Sequence, residues 1–541
     1  MNFFSKRALK QIFPTYDEVV FQLVILISAF SFISIFPQLP GLAGQNGILQ
    51  NLQQISGVTH TGLLAGNDLA LQLTAIGGCI SSLFILCRVR HFSILFLHWL
   101  AWWALISSGG IFTVYIWDIF LSEVLFILIF SGAARFSVSK PGFSVFSTVL
   151  LEVLLFRLML GMGLVKFLQG SDHWLSLKAM LYFYPNQPMP AWPGWWLWQL
   201  PEIFHSASVL FLFFCEIIAP FLMFTSAGGR VVAGSAFVIL QVFIFLSGNY
   251  GIFNLLTIAV SMLLFDKNRN KQFSSFWHSI IFDFANSMQK IRAKLSFASF
   301  LNKKNISALW FVRIIFLIFL SGNISYYTFQ LLRSKPYGGY IHESSYVFLP
   351  VAQQTIPDWL SILLKPAAYF FIVNPYALFG NIPEYRMELR LWASQDNQTW
   401  YPYQFKARPS AQEKAPIWYA PFFYRLDHAF YYESFRIRAP LLHARQSYFL
   451  GVNWLPGLLG ALMFNSTLQN QKNSTTVSNL FAHDPFAEQL PPRYFKLEYK
   501  FYEFCTIEEF RQSGCYWKIT SARKGRFFEK VLTKENLAEY P

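Results

Sequence analysis

Residues 143–167 read FSVFSTVLLEVLLFRLMLGMGLVKF, and this stretch decides what kind of protein the chain is. A helix needs roughly 20 mostly apolar residues to cross the ~30 Å hydrocarbon core of a bilayer. This run meets that length, yet it carries Glu152, Arg157 and Lys166. Each such charge costs about 2.5–3.5 kcal/mol at the centre of a membrane helix, so all three must turn toward a protein interior. A spanning segment with an inward charged face implies a bundle of further spans around it.

The rest of the chain supplies them. Similar apolar runs lie at about 19–38, 69–87, 92–109, 111–131, 205–226, 231–248, 251–265 and 307–331, the shortest being 251–265. Hydrophobic residues make up 54% of the chain and charged ones only 13%, about half the share usual in a soluble protein. The expected fold is a mainly α polytopic membrane bundle of eight or nine transmembrane helices, followed by a C-terminal non-cytoplasmic α+β, β-rich domain. The bundle is assigned to 1–331 and the second domain to 332–541.

Basic residues set the orientation. With the N-terminus inside, the inner segments hold sixteen Lys and Arg, including Arg88, Arg90 and Arg230, against Lys178 alone in the outer loops. The net charge of +15 therefore reflects membrane orientation, and no concentrated basic face points to nucleic acid. The first span reads as an uncleaved signal anchor. Within the inner segment 266–306, Phe276, Ile280, Phe284 and Met288 fall at helical spacing, the pattern of an interfacial amphipathic helix.

Beyond 332 the pattern changes. Segment 358–379 is apolar but broken by Lys365-Pro366 and Asn374-Pro375, and reads as a helix lying against the membrane or re-entering it. Alternation in 384–393, with Tyr385, Met387, Leu389 and Leu391 on one face, predicts a half-buried strand. A turn at Asp396-Asn397 and a strand at 400–405 complete a hairpin. Segment 493–505 alternates again, 516–520 can pair with it, and helices are predicted at about 424–437 and 454–464.

Candidate chemistry is sparse. Asp118, Glu123, Glu152, Arg157, Lys166, Glu216 and Arg313 fall within spans. Asp118 and Glu123, like Glu152 and Arg157, are five apart, too wide for a same-face pair on one helix, so pairing across helices is expected. Lys166, near the outer end of its span, either snorkels to the interface or, desolvated, serves as a base. The loop at 182–204 combines Pro185, Pro188, Pro190 and Pro193 with Trp192, Trp195, Trp196 and Trp198, suited to an interfacial anchor or to an apolar ligand or partner. Cys505 and Cys515 can form a disulfide if their domain faces an oxidising compartment, or remain thiols. No P-loop, nucleophile elbow, HExxH or zinc-spaced set occurs, so no cofactor or metal site is assigned.

Several stretches together resemble the lipase maturation factor family. They include GLAGQNGIL at 41–49, WDIFLSE at 117–123, FRLMLGMGLVKF at 156–167, YFYPNQPMP at 182–190 and SGNYGIFNLLT at 247–257. YRLD at 424–427, DPF at 484–486, LPPRYFK at 490–496 and a final GCYW at 514–517 continue the order, while YYESF at 431–435 departs from it. The resemblance implies a multi-pass membrane factor of the endoplasmic reticulum, or of the inner membrane in a bacterium. Such a factor assists folding and assembly of a secreted client such as a lipase, and is not an enzyme of known reaction. With it, Tyr424, Arg425, Asp427, Pro492, Arg493, Trp195 and Trp196 stand as client-binding or structural candidates, and Arg425 with Asp427 reads as a buried salt bridge holding the second domain together. More distantly, the spans are similar to vitamin K-dependent carboxylase. That likeness implies Lys166, beside Arg157, as a base on a lipid quinol.

Overall fold

The computed structural model describes residues 16–56, 62–130, 145–266, 369–372, 374, 376, 378–438, 454–464, 476–520 and 529–533. Among them the N-terminal half is helical. The principal helices are α1 (Tyr16–Ile35), α2 (Asp68–Leu86), α3 (Phe92–Ser108), α4 (Ile116–Ile129), α5 (Val145–Gln169), α6 (Glu202–Leu222), α7 (Ala227–Ser247) and α8 (Phe253–Ser261). Five of them, α1, α2, α5, α6 and α7, are long and apolar enough to cross a membrane.

Hydropathy names more spans than these five helices. The stretches at 92–109, 111–131 and 251–265 fold as helices of 17, 14 and 9 residues, the last extended by a 3-10 turn. At 1.5 Å per residue, α4 is about 21 Å long, well short of the ~30 Å core. Local chemistry sets its length. The chain turns through Gly109-Gly110, with Gly110 at φ 51°, and Asp118 then caps the helix start by accepting the Tyr115 N–H at 3.3 Å. The ninth expected span at 307–331, the amphipathic segment from 267 onward and most of 358–379 lie outside the described residues.

Packing between α1, α2 and α3 is close. His98 bridges Ser28 on α1 at 2.9 Å and Ser81 on α2 at 2.7 Å, so a buried imidazole in an apolar layer is satisfied on both ring nitrogens. Phe32 stands edge-on to Trp102 at 5.2 Å and lies over Gly78, where a Cβ would sit 2.2 Å from its ring. The opposite face of α2 presents Leu69, Leu73, Ile76, Ile80 and Leu83, exposed from the protein at the spacing of a helical stripe and suited to lipid.

The C-terminal part is an antiparallel sheet with helices. Strands β1 (Arg386–Ser394), β2 (Tyr401–Pro402), β3 (Tyr494–Phe504), β4 (Trp517–Thr520) and β5 (Glu529–Leu532) run in the order β2-β1-β3-β4, with β5 also on β3. The hairpin across Asp396-Asn397 forms, as Ala393 opposes Tyr401, and β4 pairs with β3. The long-range element is β1 on β3, in register from Arg386 opposite Tyr502 to Ser394 opposite Tyr494. Helices α9 (Arg425–Arg438) and α10 (Leu455–Phe464) fall where the periodicity places them, and α11 (Ile507–Ser513) follows β3.

The predicted half-burial of β1 needs correction. Met387, Leu389 and Leu391 are buried as the alternation requires, but so are Arg386 and Glu388 on the other face. The loop before α6 covers that face at its start, as described below.

Replacing Gly78 with Ala should drive a methyl into Phe32 and cost about 1–3 kcal/mol, as overpacking does. Gly77→Ala, with nothing within 4 Å, should be neutral or slightly stabilising. Thermal melts of the two purified variants in detergent check this pair; equal melting temperatures would contradict the packing described.

Candidate functional site

The interior of the bundle is a set of buried ion pairs, each joining separate elements. Arg157 on α5 donates to Glu123 on α4 at 2.7 Å. Glu123 also accepts the Tyr376 hydroxyl at 2.5 Å and the Asn374 amide at 3.2 Å. Arg230 on α7 holds Glu152 on α5 through two contacts of 2.7 and 3.2 Å, and donates to the Met223 carbonyl. Lys166 directs its ammonium to both oxygens of Glu216, at 3.0 and 2.9 Å, and to the Met162 carbonyl at 3.1 Å. At the edge of the bundle Glu18 takes Arg90 at 2.7 and 2.5 Å.

Backbone chemistry aims Glu216. Pro220 has no N–H for the carbonyl four residues back, and its ring crowds that carbonyl. The helix accommodates this by widening into a π turn over Phe214–Ile218, which carries Glu216. The turn presents the carboxylate to Lys166 rather than along the regular helical face.

Pairing is thus between helices, as the five-residue spacings require, but the partners differ from simple expectation. Arg230, counted above with the inner-loop charges, is a buried helix residue neutralised by Glu152. Lys166 does not snorkel: it is 3% exposed and its donors are spent within the protein. Arg313 lies outside the described residues. Arg425 does not pair with Asp427. Its guanidinium crosses to the bundle and grips Asp118 through contacts of 2.8 and 2.7 Å, with the Phe112 carbonyl at 2.8 Å. Neighbouring residues on a helix point apart, so Asp427 instead accepts the Ala407 N–H at 2.6 Å.

The aromatic loop is a dock for the C-terminal part. It folds into two short helices, Ala179–Phe183 and Trp192–Trp198. Trp195 is buried and donates its indole N–H to the Cys505 carbonyl at 3.1 Å, which also receives Gln199 at 3.0 Å. Cys505 is disulfide-bonded to Cys515. Trp192 and Trp196 remain half exposed. Arg386 reaches from β1 into the loop and donates to the carbonyls of Pro185, at 2.8 Å, and of Gln187 and Pro188. Its charge is balanced by Glu388, which also receives Arg408. Sequence reasoning does not reach this Arg–Glu–Arg group, because alternation assigns Arg386 and Glu388 to solvent. The only hint is two charges in a strand preceded by a proline-stiffened loop. Tyr431, within the YYESF departure, donates to the Asn186 carbonyl at 2.5 Å.

The other singled-out residues sit apart. Tyr424 packs on Tyr419 at 4.9 Å between ring centres. Pro492 is buried and Arg493 exposed at the entry to β3, with the Arg493 N–H on the Ser394 carbonyl at 3.0 Å.

Known proteins match both parts in order. Residues 16–272 match the lipase maturation factor transmembrane domain, and 372–526 match the lipase maturation factor C-terminal domain. The chain belongs to the lipase maturation factor family. Over 481 residues it is 25% identical to lipase maturation factor 1 of Homo sapiens, covering 86% of this chain and 75% of that one. Lipase maturation factor 1 of Bos taurus is 26% identical over 487 residues, 87% of this chain and 76% of the relative. Lipase maturation factor 2 of Rattus norvegicus is 30% identical over 279 residues, 46% of this chain and 40% of the relative. No solved structure matches.

The geometry of this family member makes two predictions. Asp118→Ala strands a buried guanidinium and should cost about 3–5 kcal/mol. Arg425→Met paired with Asp118→Leu should recover much of that loss, and melts with limited proteolysis of the C-terminal part would read both. An additive loss in the double variant would contradict a direct pair.

The second concerns Asp427. Burial raises its carboxyl from 3.8 to about 6, against the opposing pull of the Ala407 N–H and of Arg408, Lys414 and Lys406. A raised acid favours the folded state below the unfolded value and loses that contribution as pH climbs from 3.8 toward about 6. Wild-type stability relative to Asp427→Asn should therefore fall across that window. A parallel pair of curves would show that Asp427 is not raised.

Proposed function

We propose that this chain is a membrane maturation factor that assists the folding and assembly of secreted lipases or similar clients. It would work in the endoplasmic reticulum membrane of a eukaryote, or the inner membrane of a bacterium, with its N-terminus cytoplasmic and its C-terminal part lumenal or periplasmic. The observation that carries the reading is the ordered match to both family domains over the bundle and the sheet. The basic inner segments and the Cys505–Cys515 disulfide support the orientation, since disulfides persist on the oxidising side.

The bundle's charges favour a scaffold over a catalyst. Asp118, Glu123, Glu152 and Glu216 each hold a cation, and Lys166 spends its donors on Glu216 and Met162. A base needs a free lone pair, which a lysine engaged as an ammonium does not offer. The comparisons lend the carboxylase-like alternative no support. Client contact is assigned to the exposed apolar side chains of the aromatic loop, Trp192 and Trp196, with Tyr424 and Arg493 as further candidates elsewhere on the C-terminal part. Exposed apolar groups of this kind are what an incompletely folded client can bind.

The test is secretion of active lipase from cells lacking the protein. Wild type should restore activity per lipase molecule. Lys166→Met paired with Glu216→Leu, which replaces the ion pair by apolar groups, should restore it to within about threefold if the protein accumulates normally. Failure of wild type to rescue, or loss of function in an abundant, folded Lys166/Glu216 variant, would overturn the scaffold reading.

A further inference from the structure

A cavity of about 280 Å³ lies between α5, α6 and α7, just under the roughly 300–1,000 Å³ common for small-molecule sites. Its walls are almost wholly apolar, with Lys166 and Glu216 among its few polar groups. Ala207 on α6 and Phe243 on α7 line it and are also exposed on the outer surface, so it is open sideways between these helices. Around that opening Ile203, Leu210, Val242 and Leu246 are exposed from the protein, the surface a membrane-spanning helix shows to lipid. The mouth thus faces the bilayer rather than water.

Two features define what fits. Lys166 has its donors spent on Glu216 and Met162, so the pair is electrically neutral and offers no net charge to an anion. Trp117 also lines the cavity, is 2% exposed, and its indole N–H has no hydrogen-bond partner among the described residues. A buried tryptophan normally finds an acceptor, and an unmet donor costs about 1–3 kcal/mol. An acceptor on an occupant of the cavity would meet that donor.

We propose that this cavity is a lateral lipid site, taking one uncharged hydrocarbon chain that carries a carbonyl, as in a monoacylglycerol. The chain enters from the bilayer between α6 and α7, lies along Leu212, Leu240 and Ile244, and its carbonyl accepts the Trp117 N–H. The volume admits a single chain rather than a two-chain lipid.

The full-length protein in phosphatidylcholine nanodiscs tests this with two photoreactive probes, a monoolein and an oleate each bearing a mid-chain diazirine. Monoolein should label peptides 204–216 and 240–247 and be competed by unlabelled monoolein. Ala207→Trp should block the mouth and abolish that labelling with an unchanged melting temperature. Trp117→Phe should weaken it about fivefold, the loss of one hydrogen bond. The site is refuted if labelling is equally strong on the exposed stripe of α2 and indifferent to Ala207→Trp. Preferential labelling by oleate would overturn the uncharged assignment.

Discussion

A charge removed from water must take its partner with it, and the contact between Arg425 and Asp118 applies that constraint across the whole molecule. Arg425 opens a helix of the C-terminal part, yet its guanidinium ends on the first turn of α4 in the bundle. Either half alone would bury an unmatched ion, at a cost of several kcal/mol. Much else follows from this pair. Asp118 caps α4 and fixes where it starts, which makes α4 short. Trp117 and Tyr115 are held against Phe423 and His428, with ring centres 4.5 Å apart for Trp117–Phe423 and for Tyr115–His428. The Gln38 side chain completes the seam by donating to the Phe423 carbonyl and accepting the Arg425 N–H.

The aromatic loop makes the second seam by different means. Here the partners of the buried charge are backbone carbonyls of a proline-rich turn. Proline has no N–H to donate and its fixed φ holds the chain extended, so successive carbonyls are free to converge on Arg386. The same loop sets Trp195 against Cys505, beside the disulfide. Composition suggests an interfacial anchor; the fold uses the buried tryptophan as an internal joint and leaves Trp192 and Trp196 outside.

These seams bear on function because they couple a helical membrane bundle to the C-terminal sheet without using a reactive group. The buried carboxylates of α4, α5 and α6 each meet a cation from another element, an arrangement that specifies how helices pack. What stays open is apolar: Trp192 and Trp196 beside the dock and the cavity beside Lys166. A factor that handles enzymes of lipid metabolism and samples bilayer lipid through its own wall would have both at hand.

The sequence by itself determined which segments avoid water, four strands and two helices of the C-terminal part, and the family, but not the helix at 507–513 or the strand at 529–532. It could do so because apolar runs, alternation and ordered motifs are local properties of the chain. It also required the span charges to pair across helices, since residues five apart do not share a face. Which residues pair was beyond it. Glu152 finds Arg230 rather than Arg157, Arg425 finds Asp118 rather than Asp427, and Arg386 is buried where alternation points it outward. The number of long spans likewise depended on capping and glycine turns that hydropathy does not weigh. Those outcomes belong to the tertiary structure, because a buried charge is satisfied by whatever the fold brings within 3 Å, and nothing in the spacing along the chain records that distance.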